Sequence, residues 1–216
     1  MKRYLALILP FTLAAGIIIL TLRGVFSDEH RWPTGSTGLY VVMTGLYLLW
    51  MLAETRTARR DAQEREHVTD SGTREFYAVS HAFTILSALW FEPALPHAGW
   101  QHATGLPVFI AGVVFRLWAI HSLGRHYSHL VRRLDGHRVI DSGPYRFVRH
   151  PAYAGMIVAH IGTTLYFSSI PALCVLFLAL VPSIILRIGI EEKMLCDIKG
   201  YAEYAMKRSR LVPGVW

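Results

Sequence analysis

Two cysteines, Cys174 and Cys196, stand among 216 residues, too few for a disulfide scaffold or for a zinc site built on four thiolates. Charge is also scarce, at 17% of residues, where a soluble domain carries about 25%. The chain therefore lacks the polar residues to coat a water-soluble globule of its size. Fifteen acidic residues face twenty-two Lys and Arg, giving a net charge of +7. No strand-like run leads into a Gly-rich helix start, so a soluble dinucleotide-binding fold is excluded. No internal repeat, low-complexity stretch or polar segment long enough for a separate soluble domain is visible. Disorder, collagen and coiled coil fall on the same composition.

What the chain has is apolar length: 53% of residues are hydrophobic and the mean hydropathy is +0.34. A membrane crossing needs roughly 17–25 mostly apolar helical residues. Six candidates occur: 5–22, 38–53, 76–90 (extending toward Leu95), 104–123, 153–167 and 171–186. Only Ser168, Ser169 and Ile170 separate the last two, which predicts a tight helical hairpin. Met1-Lys2-Arg3 before the first run looks like a signal-peptide start, but the run is expected to be retained as a span. Of the 22 Lys and Arg, 19 fall in the N-terminus, the loop 54–75, the segment 124–150 and the tail from Arg187. Under the positive-inside rule these lie on the cytoplasmic side, with both termini. The basic balance is then topological, and nucleic acid is not an expected partner. The loop 54–75 reads as a solvated helical connection. The expected fold is an all-α integral membrane protein of about six transmembrane helices. It sits in the inner membrane of a prokaryote or the endoplasmic reticulum of a eukaryote.

Chemistry concentrates in 124–153, GRHYSHLVRRLDGHRVIDSGPYRFVRHPAY. Asp141-Ser142-Gly143-Pro144-Tyr145 is turn chemistry. Pro151 favours a helix start and disfavours helix at His150, so the fifth span begins with its positive end at the membrane surface, suited to a carboxylate-bearing ligand. An amphipathic loop against anionic lipid would have a similar composition. A second cluster, Arg187-Ile188-Gly189-Ile190-Glu191-Glu192, ends the sixth span, with Arg187 and Glu191 on one face. A snorkelling Arg anchored by a carboxylate would look the same. If the last two spans form a hairpin, this cluster returns beside His150.

Taken together, His137-Arg138-Val139-Ile140-Asp141-Ser142-Gly143-Pro144-Tyr145, Arg149-His150-Pro151-Ala152-Tyr153-Ala154-Gly155, Arg187 with Glu191-Glu192, Tyr201-Ala202-Glu203-Tyr204 and Arg210-Leu211-Val212-Pro213 resemble the signature of isoprenylcysteine carboxyl methyltransferases. These enzymes are related to membrane phospholipid N-methyltransferases. The resemblance covers about 122–216. It implies S-adenosyl-L-methionine as cofactor, held by Arg132, His137, Arg138, Val139, Ile140, Gly143, Tyr145, His150, Pro151, Ala152, Tyr153 and Glu191. It further implies Arg187 on the substrate side. The cofactor site would be cytoplasmic, formed by the segment before the hairpin and the C-terminal tail. Residues 1–121 would then be four helices shaping a substrate tunnel, and 122–216 the methyltransferase core.

Methyl transfer from a sulfonium is an in-line displacement governed by alignment and exclusion of water. A carboxylate acceptor needs a cation, for which Arg187 serves. An amine or thiol would need a base, from His150, Glu192 or Tyr145. Arg187, His150 and Glu192 are thus the candidate catalytic residues. The expected substrate is a lipidic or hydrophobic small molecule entering among membrane lipids; oligomeric state stays open. The alternatives are a phospholipid, amine or thiol methyltransferase, an NADPH-dependent sterol-type reductase, and a non-enzymatic carrier or scaffold. No metal site is expected. His126, Tyr127 and His129 are poorly spaced for zinc, and His81, His121 and His160 are read as packing or hydrogen-bonding groups rather than haem ligands. Arg116, inside a span, faces either substrate or a structural ion pair. Trp50, Trp90, Trp100 and Trp118 read as an interfacial belt.

Overall fold

The computed structural model describes residues 2–26, 37–63, 72–91, 93–94, 99–124 and 139–216. Among the described residues the protein is all-helical, and its one β feature is an isolated parallel bridge between Val148 and Ser209. The helices are α1 (Lys2–Phe26), α2 (Thr37–Gln63), α3 (Thr73–Trp90), α4 (Trp100–Leu123), α5 (Pro151–Tyr166), α6 (Ile170–Val175), α7 (Val181–Leu195) and α8 (Tyr201–Met206), with a 3-10 turn at Gly143–Arg146. A π-helical turn at Leu176–Leu180 joins α6 to α7. The cause is Pro182 in the first turn of α7: it has no N–H and its ring would strike the carbonyl one turn back. Widening the turn, with Val181 N–H reaching Leu176 O, relieves both problems.

Among the described residues, three helical stretches are long and apolar enough to cross a membrane: Thr37–Glu54, Trp100–Leu123 and Ile170–Leu195. Around them large apolar side chains face outward, including Leu178 at 78% exposure, Ile19 at 64% and Phe83 at 59%. No water-soluble surface carries such a belt, whereas a lipid-facing one must. α3 and α5 are shorter and more polar, burying Ser80, Thr84 and Ser87, and His160, Thr163 and Thr164. The helices extend the first, second and last apolar segments at both ends and the other three only at their starts. In particular α2 continues past Ala53 to Gln63, so Glu54 is a helical residue rather than the first of a loop.

α5 leaves through Phe167–Ser169 directly into α6, where Ser169 Oγ accepts from Ala172 N–H at 3.3 Å and caps the new helix. Yet the tightest neighbour of α5 is α4. Gly105 and Gly112 on α4 meet Gly155 and Gly162 on α5. A Cβ built on Gly112 would stand 2.3 Å from Ala159 N, and one on Gly162 would stand 2.2 Å from Phe109 N. The two backbones touch along this seam, as small residues permit between helices in lipid. α6, the π turn and α7 instead lie along α3. Ile17, Met43, Ile85, Leu176, Leu180 and Ile184 close the core between them.

Candidate functional site

The site forms where the end of α2, the start of α3, the end of α4, the start of α5 and the end of α7 come together. Gly143 opens the 3-10 turn at φ 58°, where a side chain would be strained and would also stand 2.8 Å from Ser122 Oγ. Its lack of Cβ presses the turn onto the end of α4. Pro144 fixes the turn's first residue, and Tyr145 is buried. The chain then runs extended beside the tail: Arg149 N–H donates to Ser209 O at 2.8 Å, and His150 N–H donates to Arg210 O at 3.0 Å. Pro151 starts α5 directly after His150, as the sequence predicts. Tyr204 on α8 fastens the same turn by donating to Tyr145 O at 2.7 Å.

Glu192 is the hub that holds these strands of chain together. Its Oε1 accepts from His150 Nε2 at 3.2 Å and pairs with Arg149 Nη1 at 2.8 Å, while Oε2 accepts from Arg210 Nε at 2.9 Å. With both oxygens committed to three partners, Glu192 is a strut between α7, α5 and the tail. Glu191 differs: about one third exposed, its Oε2 stands 3.8 Å from His150 Nδ1. Burial, then the nearby Glu191 carboxylate, pushes the Tyr145 phenol well above its ordinary value. Burial likewise raises Tyr201, and raises Tyr204 to about 12. All three phenols therefore stay protonated near neutral pH, which removes Tyr145 as a base.

Arg187 is buried beside this hub but faces away from it. Its Nε donates to Tyr153 Oη at 3.3 Å, and its guanidinium lies over the Tyr77 ring, 5.4 Å from the centroid. Tyr77 in turn meets Tyr153 edge-on, with ring centroids 6.2 Å apart and an interplanar angle of 77°. A cation framed by two aromatic rings is suited to holding an anion.

Arg116 behaves otherwise. It is 1% exposed, its Nε and Nη2 donate to the two carboxylate oxygens of Glu54 at 2.5 and 2.7 Å, and its Nη1 donates to Ala152 O at 2.9 Å. Of the two expectations for this residue, the ion pair is the one observed. It also steadies the first turn of α5. Trp50 Nε1 donates to the same Glu54. Trp50 is thus 4% exposed and not part of an interfacial belt, whereas Trp90, Trp100 and Trp118 are each about half exposed. Deeper in the bundle, Tyr47 Oη lies 3.1 Å from His81 Nε2 and 3.2 Å from His160 Nε2, and His160 Nδ1 is 2.9 Å from Met156 O. These histidines are hydrogen-bonded core groups, as expected. No cluster of three metal-ligating side chains occurs among the described residues.

Of the residues expected at a cofactor, Arg132, His137 and Arg138 lie outside the described residues. Val139 and Ile140 are half-buried, and Ile140 packs against Ala119, Tyr145 and Ala152. Gly143, Tyr145, His150, Pro151, Ala152, Tyr153 and Glu191 all gather at the start of α5 and the end of α7. Pro151 and Ala152 contribute backbone shape. Two buried donors adjoin each other at the same place, the Tyr201 hydroxyl and Arg149 Nε. Together with the half-open Glu191 carboxylate, they fit a ligand that carries both acceptor oxygens and a cationic or hydroxyl group.

Sequence reasoning missed Glu54, Tyr77, Arg149 and Arg210 as members of this assembly. Arg116 was the available signal for Glu54, since a cation inside an apolar helix requires a nearby anion. Nothing local marks Tyr77, which comes from the other half of the chain.

A family model described as the isoprenylcysteine carboxyl methyltransferase family matches residues 104–197. Protein-S-isoprenylcysteine O-methyltransferase B of Arabidopsis thaliana is 31% identical over 147 residues, covering 64% of this chain and 74% of that protein. The Tribolium castaneum protein-S-isoprenylcysteine O-methyltransferase is 32% identical over 142 residues, 63% of this chain and 50% of that one. Among solved structures, a eukaryotic intramembrane Ras methyltransferase is similar with a TM-score of 0.57 and 24% identity, over 92% of this chain and 73% of that one. That likeness extends the shared fold through the N-terminal helices.

Proposed function

This chain belongs to the isoprenylcysteine carboxyl methyltransferase family, and on that premise we propose that it esterifies the carboxylate of a prenylated cysteine, using S-adenosyl-L-methionine as methyl donor. The observation that carries the reading is Arg187: a buried cation set between Tyr77 and Tyr153, next to the assembly that gathers the cofactor motifs.

When bound, S-adenosyl-L-methionine supplies an electrophilic methyl group on a sulfonium. Glu191 would take its ammonium or ribose hydroxyls, Arg149 and Tyr201 its carboxylate, and Ile140 and Tyr145 its apolar faces. Arg187 holds the acceptor carboxylate, which is already ionised and loses no proton. A base is then superfluous. This agrees with a Glu192 whose oxygens are both engaged and with phenols that burial keeps protonated. His150 and Glu192, candidates for catalysis on sequence, are in this reading positioning residues. Alignment in a closed, lipid-surrounded site does the remaining work.

The same reading places all six helical segments across the membrane, with α5 and α6 as a hairpin and both termini and the cofactor site on the cytoplasmic side. Residues 1–121 would shape the lipid path and 122–216 carry the cofactor motifs. The membrane would be the endoplasmic reticulum in a eukaryote and the inner membrane in a prokaryote. A prenyl chain would enter laterally from the bilayer.

The test is calorimetric titration of the purified, detergent-solubilised protein with S-adenosyl-L-methionine and its demethylated product. Binding of both is expected, weakened at least tenfold in Glu191→Ala. No binding to the wild type, or undiminished binding in the variant, overturns the cofactor assignment.

A further inference from the structure

We propose that the turn carrying Phe147 and the tail from Met206 onward form an interfacial anchor, a cationic and apolar ledge that docks on the headgroups of an anionic bilayer. The two segments lie together because Val148 and Ser209 pair in parallel and Arg149 N–H donates to Ser209 O. Side chains alternate along extended chain, so Val148 is buried while Phe147 faces out. Beyond Arg210 the tail closes on itself. Leu211 and Val212 N–H donate to Trp216 O at 2.8 and 3.0 Å, and Gly214 N–H donates to Ser209 Oγ at 2.9 Å. The Arg210 guanidinium lies over the Trp216 ring, and Gly214 makes the bend at φ 74°. The loop is thus held in shape while its apolar side chains point outward: Val212 is half exposed and Val215 is 78% exposed, with Met206 at 80% just before it.

A closed loop that turns two valines into water is unfavourable, and such a patch marks a surface that is covered in use. Charge and position indicate the cover. Neither 142–149 nor 204–216 contains an Asp or Glu. Glu192 takes up Arg149 and Arg210, while Arg146 and Lys207 are exposed and Arg208 half-buried. His150 N–H donates to Arg210 O, which ties the ledge to the start of α5. With α5 across the membrane, as read above, the ledge lies where that helix meets the headgroups. Cations for lipid phosphates and carboxylates, interleaved with apolar side chains for the acyl boundary, are the composition of a segment lying in that layer. An acidic protein partner would match the cations alone. Docking here braces the tail whose Arg210 reaches Glu192.

The experiment places a nitroxide at Val215→Cys in the full chain, with Cys174 and Cys196 replaced by alanine. Its collisions are read with oxygen, which concentrates in lipid, and with a nickel chelate, which stays in water. The vesicles are phosphatidylcholine alone or phosphatidylcholine with phosphatidylserine. With phosphatidylserine the nitroxide is expected at the headgroup–acyl boundary, favouring oxygen; with phosphatidylcholine alone the balance moves toward nickel. Lys207→Ala and Arg208→Ala should each lower the docked-to-undocked ratio about fivefold, the weight of one basic residue at an anionic surface. Salt at about 0.5 M should shift the unsubstituted ledge in the same direction. A nitroxide that meets the nickel chelate as freely with phosphatidylserine as without it would overturn the proposal. So would shielding from both reagents that fades as the protein is diluted among more vesicles, the mark of a second copy on this face. Neither methyl donor nor acceptor enters the measurement, so its failure is distinct from a failure of the methyl-transfer reading.

Discussion

Two charged assemblies lie side by side at the base of this bundle and differ in what surrounds the charge. Around Glu192, one carboxylate is shared by Arg149, His150 and Arg210, and both its oxygens are occupied. Around Arg187, a cation meets two phenols, Tyr153 at its Nε and Tyr77 beneath its guanidinium. A carboxylate with both oxygens engaged fixes structure, whereas a cation framed by aromatic rings is suited to a ligand anion. In the proposed function the difference gives Glu192 to architecture and Arg187 to substrate, although sequence alone sets both beside each other on one short stretch of helix.

The comparison can be broken at the saturated side first. Glu192→Ala leaves Arg149 and Arg210 facing each other across His150 without their shared carboxylate, and stability should fall by about 3–5 kcal/mol, the usual cost of stripping one partner from a buried ion pair. Thermal unfolding in detergent, with the tail's proteolytic protection, measures it; a variant as stable as wild type would remove the strut. Next comes Arg187→Ala, expected to lower methyl transfer by about 100- to 1000-fold, as loss of a preorganised donor does. Cofactor affinity and melting temperature should stay near wild type. A loss of stability as large as that of Glu192→Ala would erase the distinction between the two assemblies.

Arg116 sharpens the contrast, because it is a cation that already has its anion. Glu54→Gln should cost about 1–3 kcal/mol in stability through the under-compensated guanidinium, with a smaller effect on turnover through Ala152. Melting curves and KM for the methyl donor separate the two effects. The smallest expected effect is on pH. Tyr201 and Tyr204 titrate higher in the folded protein than their ordinary value near 10. Their contribution to tail docking is thus fully present below pH 10 and is lost as pH rises toward 12. Ultraviolet titration of the phenolates, read against tail proteolysis, should show both changes in that interval; tyrosines titrating at pH 10 with the tail still docked would contradict it.

The helices were legible in the sequence as apolar runs, and two of them carry a start signal: Pro151 for α5 and Ser169 for α6. The turn at Gly143–Pro144 and the approach of Glu191 and Glu192 to His150 were readable for the same reason, since local turn chemistry and a short connection decide them. The pairing of helices was not. Gly105, Gly112, Gly155 and Gly162 recur at seven-residue spacing, yet their meaning depends on which two helices face each other, and that is settled by long-range packing. Trp50 shows the same limit: a tryptophan near a span end suggests an interface, but Glu54 one turn later draws its N–H inward. The Tyr77 contribution was hidden for a related reason, since only the fold brings α3 over Arg187.

The account's central claim is that the assembly at Arg187 holds a carboxylate for methylation. Incubating the purified protein in vesicles with methyl-labelled S-adenosyl-L-methionine and an S-farnesylated N-acetylcysteine, then exposing the product to mild alkali, tests it most directly. The account predicts that the label enters the prenylated compound and is released as methanol, the signature of a methyl ester. Label retained through alkali, on nitrogen or sulfur, or no label in the prenylated compound at all, would contradict it.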